Sequence, residues 1–112
     1  MLVVTRYRVP PEENQPFRAQ ARDALDVFAA QPGHVRGRVG RSADEPDLWV
    51  LVTEWENVGA YRRALSAYDV KMRAVPVMYR ALVEPTAYEL LERTDHSSNS
   101  GDSGDPDRSP AV

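Results

Sequence analysis

One short run constrains the fold most: the apolar residues from Leu48 to Val52 in "DLWVLVTEW". A strand with one face in water alternates apolar and polar residues, so an unbroken apolar run indicates burial on both faces. Side chains alternate along a strand, which places Trp49 and Leu51 on the face opposite to Val50. A chain of 112 residues is typical of a single domain. We therefore expect a sheet with helices on one face and a second subunit on the other.

The remaining patterns predict the element order β-α-β-β-α-β. The predicted strands are Leu2–Val9, His34–Ser42, Leu48–Trp55 and Thr86–Leu91. A first helix is predicted from near Pro16 to the Pro32-Gly33 pair, with Asn14 or Gln15 as its cap. A second helical region is predicted from Asn57 through Leu82, with a break at 66–69 and a kink at Pro76. This order is that of an α+β ferredoxin-like fold, in which helices cover one face of a four-stranded antiparallel sheet.

The uncovered face of that sheet predicts a partner. The first strand repeats the pattern of the third, since apolar residues occur at Leu2, Val3 and Val4 without alternation. A large exposed apolar patch normally marks an interface, and the simplest cover is the same sheet of a second copy. We expect a homodimer formed by sheet-on-sheet packing, which the substitution Leu51→Arg should disrupt.

Composition argues against several other classes of protein. The net charge of −3 argues against nucleic acid, and the absence of cysteine excludes thiolate metal sites. No apolar run approaches the length of a membrane span, and the N-terminus does not resemble a signal peptide, so the expected location is cytoplasmic. Residues 94–112 are rich in Ser, Asp, Gly and Pro and are predicted to be a disordered tail with a solvated His96, which leaves 1–93 as the folded domain.

The run from Gln31 to Leu65 resembles the antibiotic biosynthesis monooxygenase family of dimeric α+β barrels. The similar features are Pro32-Gly33 at the end of the first helix, the turn 42–46, and the pair Glu54-Trp55 closing an apolar strand before a helix. The resemblance implies two ferredoxin-like subunits packed sheet on sheet, each with a pocket between sheet and helices. It also implies a cofactor-independent monooxygenase that oxidises a polyketide-like aromatic phenol or quinol with O2. The alternative is a non-catalytic dimer that binds or senses a small molecule.

Such a reaction needs no cofactor and no metal, because a deprotonated, electron-rich substrate can itself reduce O2. The protein supplies an apolar pocket, a proton acceptor and donors that stabilise the anion. The resemblance points to the second helical region for these groups, where Asn57, Tyr68 and Arg80 are the catalytic candidates. His34, a histidine inside the folded domain, is the candidate base. Three of these residues also have a structural interpretation: helix cap for Asn57, surface cation for Arg80, and exposed turn for His34. Tyr68 lies at the predicted helix break, where it is equally compatible with a pocket rim and with no role in the site.

Tyr61, Trp55 and Met78 are the candidate substrate-binding residues. Tyr61 and Trp55 are equally compatible with core packing. The haem-degrading branch of the family implies a histidine in the second helical region and a tryptophan nearby. Neither occurs between Val58 and Val83, so haem is not expected.

Overall fold

A computed structural model describes residues 1–94 of the chain. The strands are β1 (Leu2–Arg8), β2 (His34–Arg41), β3 (Leu48–Trp55) and β4 (Ala87–Tyr88), and the α-helices are α1 (Asn14–Ala29), α2 (Val58–Leu65), α3 (Tyr68–Arg73) and α4 (Val75–Met78), with a 3-10 turn at Pro11–Glu13. The sheet order is β2-β3-β1-β4, and all neighbouring strands are antiparallel. The predicted ferredoxin-like α+β fold is confirmed.

Two turns set the register of the central strands. Gly33 lies between α1 and β2 with φ at +88°, and a Cβ there would approach the Ala60 side chain to 2.4 Å, so only glycine fits. The turn between β2 and β3 is held by the Ser42 hydroxyl, which accepts from the backbone N–H groups of Asp44 and Glu45 at 3.1 and 2.9 Å. These turns lie where the sequence predicted them.

Helix α1 begins earlier than the sequence suggested. It starts at Asn14 rather than near Pro16, and no side chain caps its N-terminus, so the predicted cap at Asn14 or Gln15 is wrong. Pro16 fits within the first turn because the backbone N–H groups there have no intrahelical partner. The helix packs one apolar stripe on the sheet, formed by Phe17, Ala21, Ala24, Val27 and Phe28.

The helices cover the face of the sheet that carries Trp49 and Leu51. The residues on this covered face are at most 5% exposed: Val3, Thr5, Tyr7, Trp49, Leu51, Thr53 and Trp55. The opposite, open face carries Leu2, Val4, Val50 and Val52, all partly exposed. The expectation that Leu51 faces a partner subunit is therefore wrong, because alternation groups residues by face but does not say which face the helices cover.

The second helical region is shorter and more broken than predicted. The break after Leu65 is confirmed, but α4 ends at Met78 and the chain does not stay helical to Leu82. The Leu82 N–H instead donates to the Arg6 carbonyl at 2.8 Å, which draws the chain back to the sheet edge.

Strand β4 is also shorter than the predicted Thr86–Leu91. Its pairing with β1 consists of Leu2 opposite Tyr88 and Val3 opposite Ala87, extended by a bond of 2.7 Å from the Val4 N–H to the Thr86 carbonyl. The predicted tail, 94–112, and His96 lie outside the described residues apart from Thr94. In the part of the chain that is described, no helix is long and apolar enough to cross a membrane.

Candidate active site

Two pairs of polar groups lie within the apolar space between sheet and helices. On β1, the Thr5 and Tyr7 hydroxyls are hydrogen-bonded at 2.7 Å, and Thr5 also donates to the Leu51 carbonyl at 3.4 Å. On β3, the Trp55 indole N–H donates to the Thr53 hydroxyl at 2.9 Å. Each pair follows from strand alternation, because residues two apart share a face. Burial raises the pKa of Tyr7, while the hydrogen bond with Thr5 and the positive charge of Arg80 oppose that rise.

Arg80 reaches the edge of this interior from the turn after α4. Its guanidinium lies 5.2 Å from the centre of the Phe17 ring, which in turn packs 5.0 Å from the Tyr7 ring. Glu13 holds the guanidinium in an ion pair at 2.9 Å, and the Gln20 amide oxygen accepts from it at 3.3 Å. These contacts fix the cation against an aromatic face beside a buried phenol.

His34, Trp55 and Tyr61 form a second aromatic group further along the covered face. The His34 ring meets the Trp55 ring edge to face at 5.2 Å, and Trp55 packs against Tyr61 at 5.7 Å. The His34 Nε2 atom is buried and has no hydrogen-bond partner among the described residues. Burial lowers the pKa of His34, so the neutral form of the imidazole is favoured. Burial, and then the neighbouring Tyr7, raise the pKa of Tyr61.

Of the other predicted site residues, Asn57 and Tyr68 lie outside this interior, whereas Met78 borders it. The Asn57 side chain caps α2 by accepting from the Ala60 N–H at 2.8 Å, which confirms its structural interpretation. Tyr68 begins α3 and is 74% exposed. Met78 is partly buried and packs against the core. The fold thus brings His34, Trp55 and Tyr61 together, places Arg80 beside Tyr7, and leaves Tyr68 on the surface.

Sequence reasoning missed Thr5 and Tyr7 as site candidates. Their alternation with Val3 on a single strand is visible in the sequence, but tyrosine is common in strands and usually packs in the core. Only the approach of Arg80, more than seventy positions away in the sequence, distinguishes this phenol from a packing residue.

Together these residues define a ferredoxin-like α+β domain with hydroxyl donors, a neutral imidazole and a cation around its aromatic interior. A protein family model described as antibiotic biosynthesis monooxygenase matches residues 1–71. The match covers more than half of the chain, so the protein belongs to the antibiotic biosynthesis monooxygenase family. No curated protein matches the chain.

Several solved structures share this fold. A conserved protein from Methanosarcina mazei Go1 is 20% identical, with a TM-score of 0.63 over 77% of this chain and 84% of that one. Rv0793 from Mycobacterium tuberculosis is 20% identical, with a TM-score of 0.62 over 87% and 97%. A mutant of SnoaB, a cofactor-independent oxygenase from Streptomyces nogalater, is 26% identical, with a TM-score of 0.62 over 72% and 82%. The first two likenesses concern the fold alone.

Proposed function

We propose that the protein is a cofactor-independent monooxygenase that oxidises an aromatic phenol or quinol with O2. Membership of the family and the likeness to a cofactor-independent oxygenase support this proposal. The observation that carries it is the position of Arg80, which Glu13 holds against the Phe17 ring that packs on the buried Tyr7, so that its charge opposes the rise in the Tyr7 pKa. A phenol donor and a fixed guanidinium are the groups that stabilise a substrate phenolate in a space of low polarity.

The residues divide the proposed chemistry between them. His34 takes a proton from the substrate, and the resulting phenolate or carbanion is electron-rich enough to react with O2. A carbon–oxygen bond forms, and reprotonation gives a hydroperoxide. Cleavage of its oxygen–oxygen bond with loss of water leaves a quinone, so one oxygen atom enters the product and the other leaves as water. Tyr7 and Arg80 stabilise the anion, while Trp55, Tyr61 and Met78 contact the aromatic body.

The proposed active form is a homodimer. The open face carries Leu2, Val4, Val50 and Val52. In β4 Tyr88 is 47% exposed, and after β4 Leu90 and Leu91 are 39% and 80% exposed. Exposed apolar residues that are contiguous favour an interface, and a two-fold axis would place two identical open faces against each other.

Oxygen consumption by the purified, full-length protein tests this function. The substrates are anthrones, naphthols and hydroquinones, with uncatalysed oxidation subtracted. We expect protein-dependent uptake that falls about tenfold or more in Arg80→Gln, Tyr7→Phe and His34→Gln, because loss of one anion-stabilising donor or base typically costs at least that much. Tyr79→Phe is the matched control, since Tyr79 is 86% exposed. Uptake that all three variants retain would refute this site.

Asn57 and Tyr68 remain catalytic candidates that the same assay separates from structural roles. Asn57→Asp keeps a capping oxygen but removes the amide donor, so lost uptake at unchanged melting temperature would assign Asn57 to catalysis. For the exposed Tyr68, Tyr68→Phe should leave uptake unchanged if the tyrosine has no part in the reaction.

A second function, non-catalytic binding of a small aromatic molecule outside this interior, is favoured by one observation. Tyr7, Phe17, Phe28 and Trp55 are at most 1% exposed, so large side chains already fill much of the interior. In that case the same panel would give saturable binding and no oxygen uptake.

A further inference from the structure

A groove on the outer side of α1 is separate from the proposed active site. It has a volume of about 730 Å³ and lies between α1, the end of β2 and the start of β3. Its lining includes Asn14, Arg18, Ala19, Arg22, Arg41 and Trp49. A space of this size matches typical small-molecule sites, which range over roughly 300–1,000 Å³.

The charge of the groove is positive and largely uncompensated. Arg22 pairs with Asp26 at 3.3 Å, one helical turn away on the exposed surface. Among residues 1–94, neither Arg18 nor Arg41 has a carboxylate partner, and no acidic side chain lines the groove. Two guanidinium groups without counter-ions in one concave site favour an anion, since guanidinium binds carboxylates through paired hydrogen bonds.

One wall of the groove is aromatic. Trp49 is 5% exposed, and its indole Nε1 atom is buried without a hydrogen-bond partner within the described part of the chain. The Arg41 guanidinium lies 5.5 Å from the centre of the indole ring, so a cation and an aromatic ring border the same space.

We propose that this groove is a second ligand site that binds a small aromatic carboxylate. The carboxylate would bind Arg18 and Arg41, and the aromatic body would lie against the apolar part of the wall at Ala19 and Trp49. Because α1 and Trp49 belong to the covered side of the sheet, a sheet-on-sheet dimer would leave the groove accessible.

Calorimetric titration of the full-length protein with 2-naphthoate tests this site. We expect saturable binding that weakens about tenfold in Arg18→Gln and in Arg41→Gln, the effect of removing one charge-assisted hydrogen bond. Arg62→Gln, on the exposed surface of α2, is the matched control and should bind like the parent protein. Binding should weaken as salt rises.

Other outcomes would overturn the proposal. These are the absence of saturable binding up to millimolar 2-naphthoate, equal binding of the neutral 2-naphthylmethanol, or undiminished binding in both groove arginine variants. Loss of binding in Arg80→Gln alone would instead assign the ligand to the interior. Displacement of 2-naphthoate by inorganic phosphate at similar concentration would reduce the groove to an unselective anion site.

Discussion

The two faces of the sheet use the same strands in opposite ways. On the covered face, β1 and β3 contribute Val3, Leu51 and Trp55, all at most 3% exposed. The hydroxyls on this face are also hydrogen-bonded, Thr5 with Tyr7 and Thr53 with the Trp55 indole N–H. On the open face the apolar side chains are only partly exposed, and charged pairs surround them: Arg6 with Glu84 at 2.7 Å and Arg36 with Glu54 at 3.5 Å. The side chains of the covered face are already buried within one subunit. The open face has an apolar centre and a polar rim, a composition typical of interfaces.

In the proposed dimer, the covered face determines the stability of each subunit and the open face determines the association of the two subunits. A change on the covered face should act on the folding of one subunit, and a change on the open face should act on the association of two. Neighbouring residues of β3 therefore provide a direct test.

The largest effect is expected for Leu51→Arg. Leu51 is 3% exposed beneath the helices, so arginine would be buried there without an acceptor. We expect a loss of more than about 4 kcal/mol in the free energy of unfolding, a large share of the about 5–15 kcal/mol that stabilises a small domain. Circular dichroism during urea unfolding measures this loss. A monomer that keeps the unfolding free energy of the parent protein would mean that the two faces have been assigned the wrong way round.

The adjacent substitution Val52→Glu should separate assembly from folding. Val52 lies on the open face, opposite Val4 of β1 and Arg38 of β2. In a monomer the carboxylate is solvated and lies beside Arg38, but in a sheet-on-sheet dimer it is buried. A buried, poorly compensated charge costs about 3 kcal/mol or more, so the dimer dissociation constant should rise by roughly a hundredfold or more.

Light scattering coupled to size-exclusion chromatography measures this change in mass. Val52→Thr, which has a similar shape and no charge, is the control and should remain a dimer at the same concentration. An unchanged dimer in Val52→Glu would exclude the open face as the interface.

Within the covered face, Thr5→Val should have a moderate effect. Valine keeps the shape of threonine but leaves the buried Tyr7 hydroxyl without the partner that now lies 2.7 Å away. The free energy of unfolding should fall by about 1–3 kcal/mol. Tyr7→Phe should cost less, because Thr5 retains its bond to the Leu51 carbonyl. Urea unfolding of both single variants and the double variant gives the coupling energy; additive losses would show that the two hydroxyls do not interact.

Much of this arrangement was predictable from the sequence, and the exceptions have physical causes. Strand periodicity predicted the element order and grouped residues by face, and Gly33 and Asn57 lay at the helix boundaries where their conformational and capping preferences placed them. Periodicity could not say that Leu51 faces the helices, because both faces of β3 are apolar. The predicted fourth strand extends to Leu91, but β4 ends at Tyr88. The length of a strand depends on pairing with a neighbouring strand and not on the segment alone.

The candidate site was less predictable than the fold. Residue type and local position favoured His34, Trp55 and Tyr61, which do lie together. The predicted helix break favours Tyr68 as a site residue, but Tyr68 begins the short α3 and is 74% exposed. The approach of Arg80 to Tyr7 joins distant segments, and no local pattern specifies such a contact.

The smallest effect concerns His34, which lies at the edge of the covered face. Burial lowers its pKa below the ordinary value of 6.5, so the unfolded chain binds a proton more readily than the folded one. Its contribution to stability is therefore fully present above about pH 6.5 and is lost as the pH falls toward the folded-state pKa. We expect the melting temperature to fall between pH 7 and pH 5 by more in the parent protein than in His34→Gln, which does not titrate there.

The carboxylates Asp23 and Glu84 have pKa values lowered by Arg73 and Arg6, so the stability that they contribute is lost at still lower pH. Parallel profiles for the two proteins would show that the imidazole is as well solvated in the folded state as in the unfolded chain, and would remove it from the covered face.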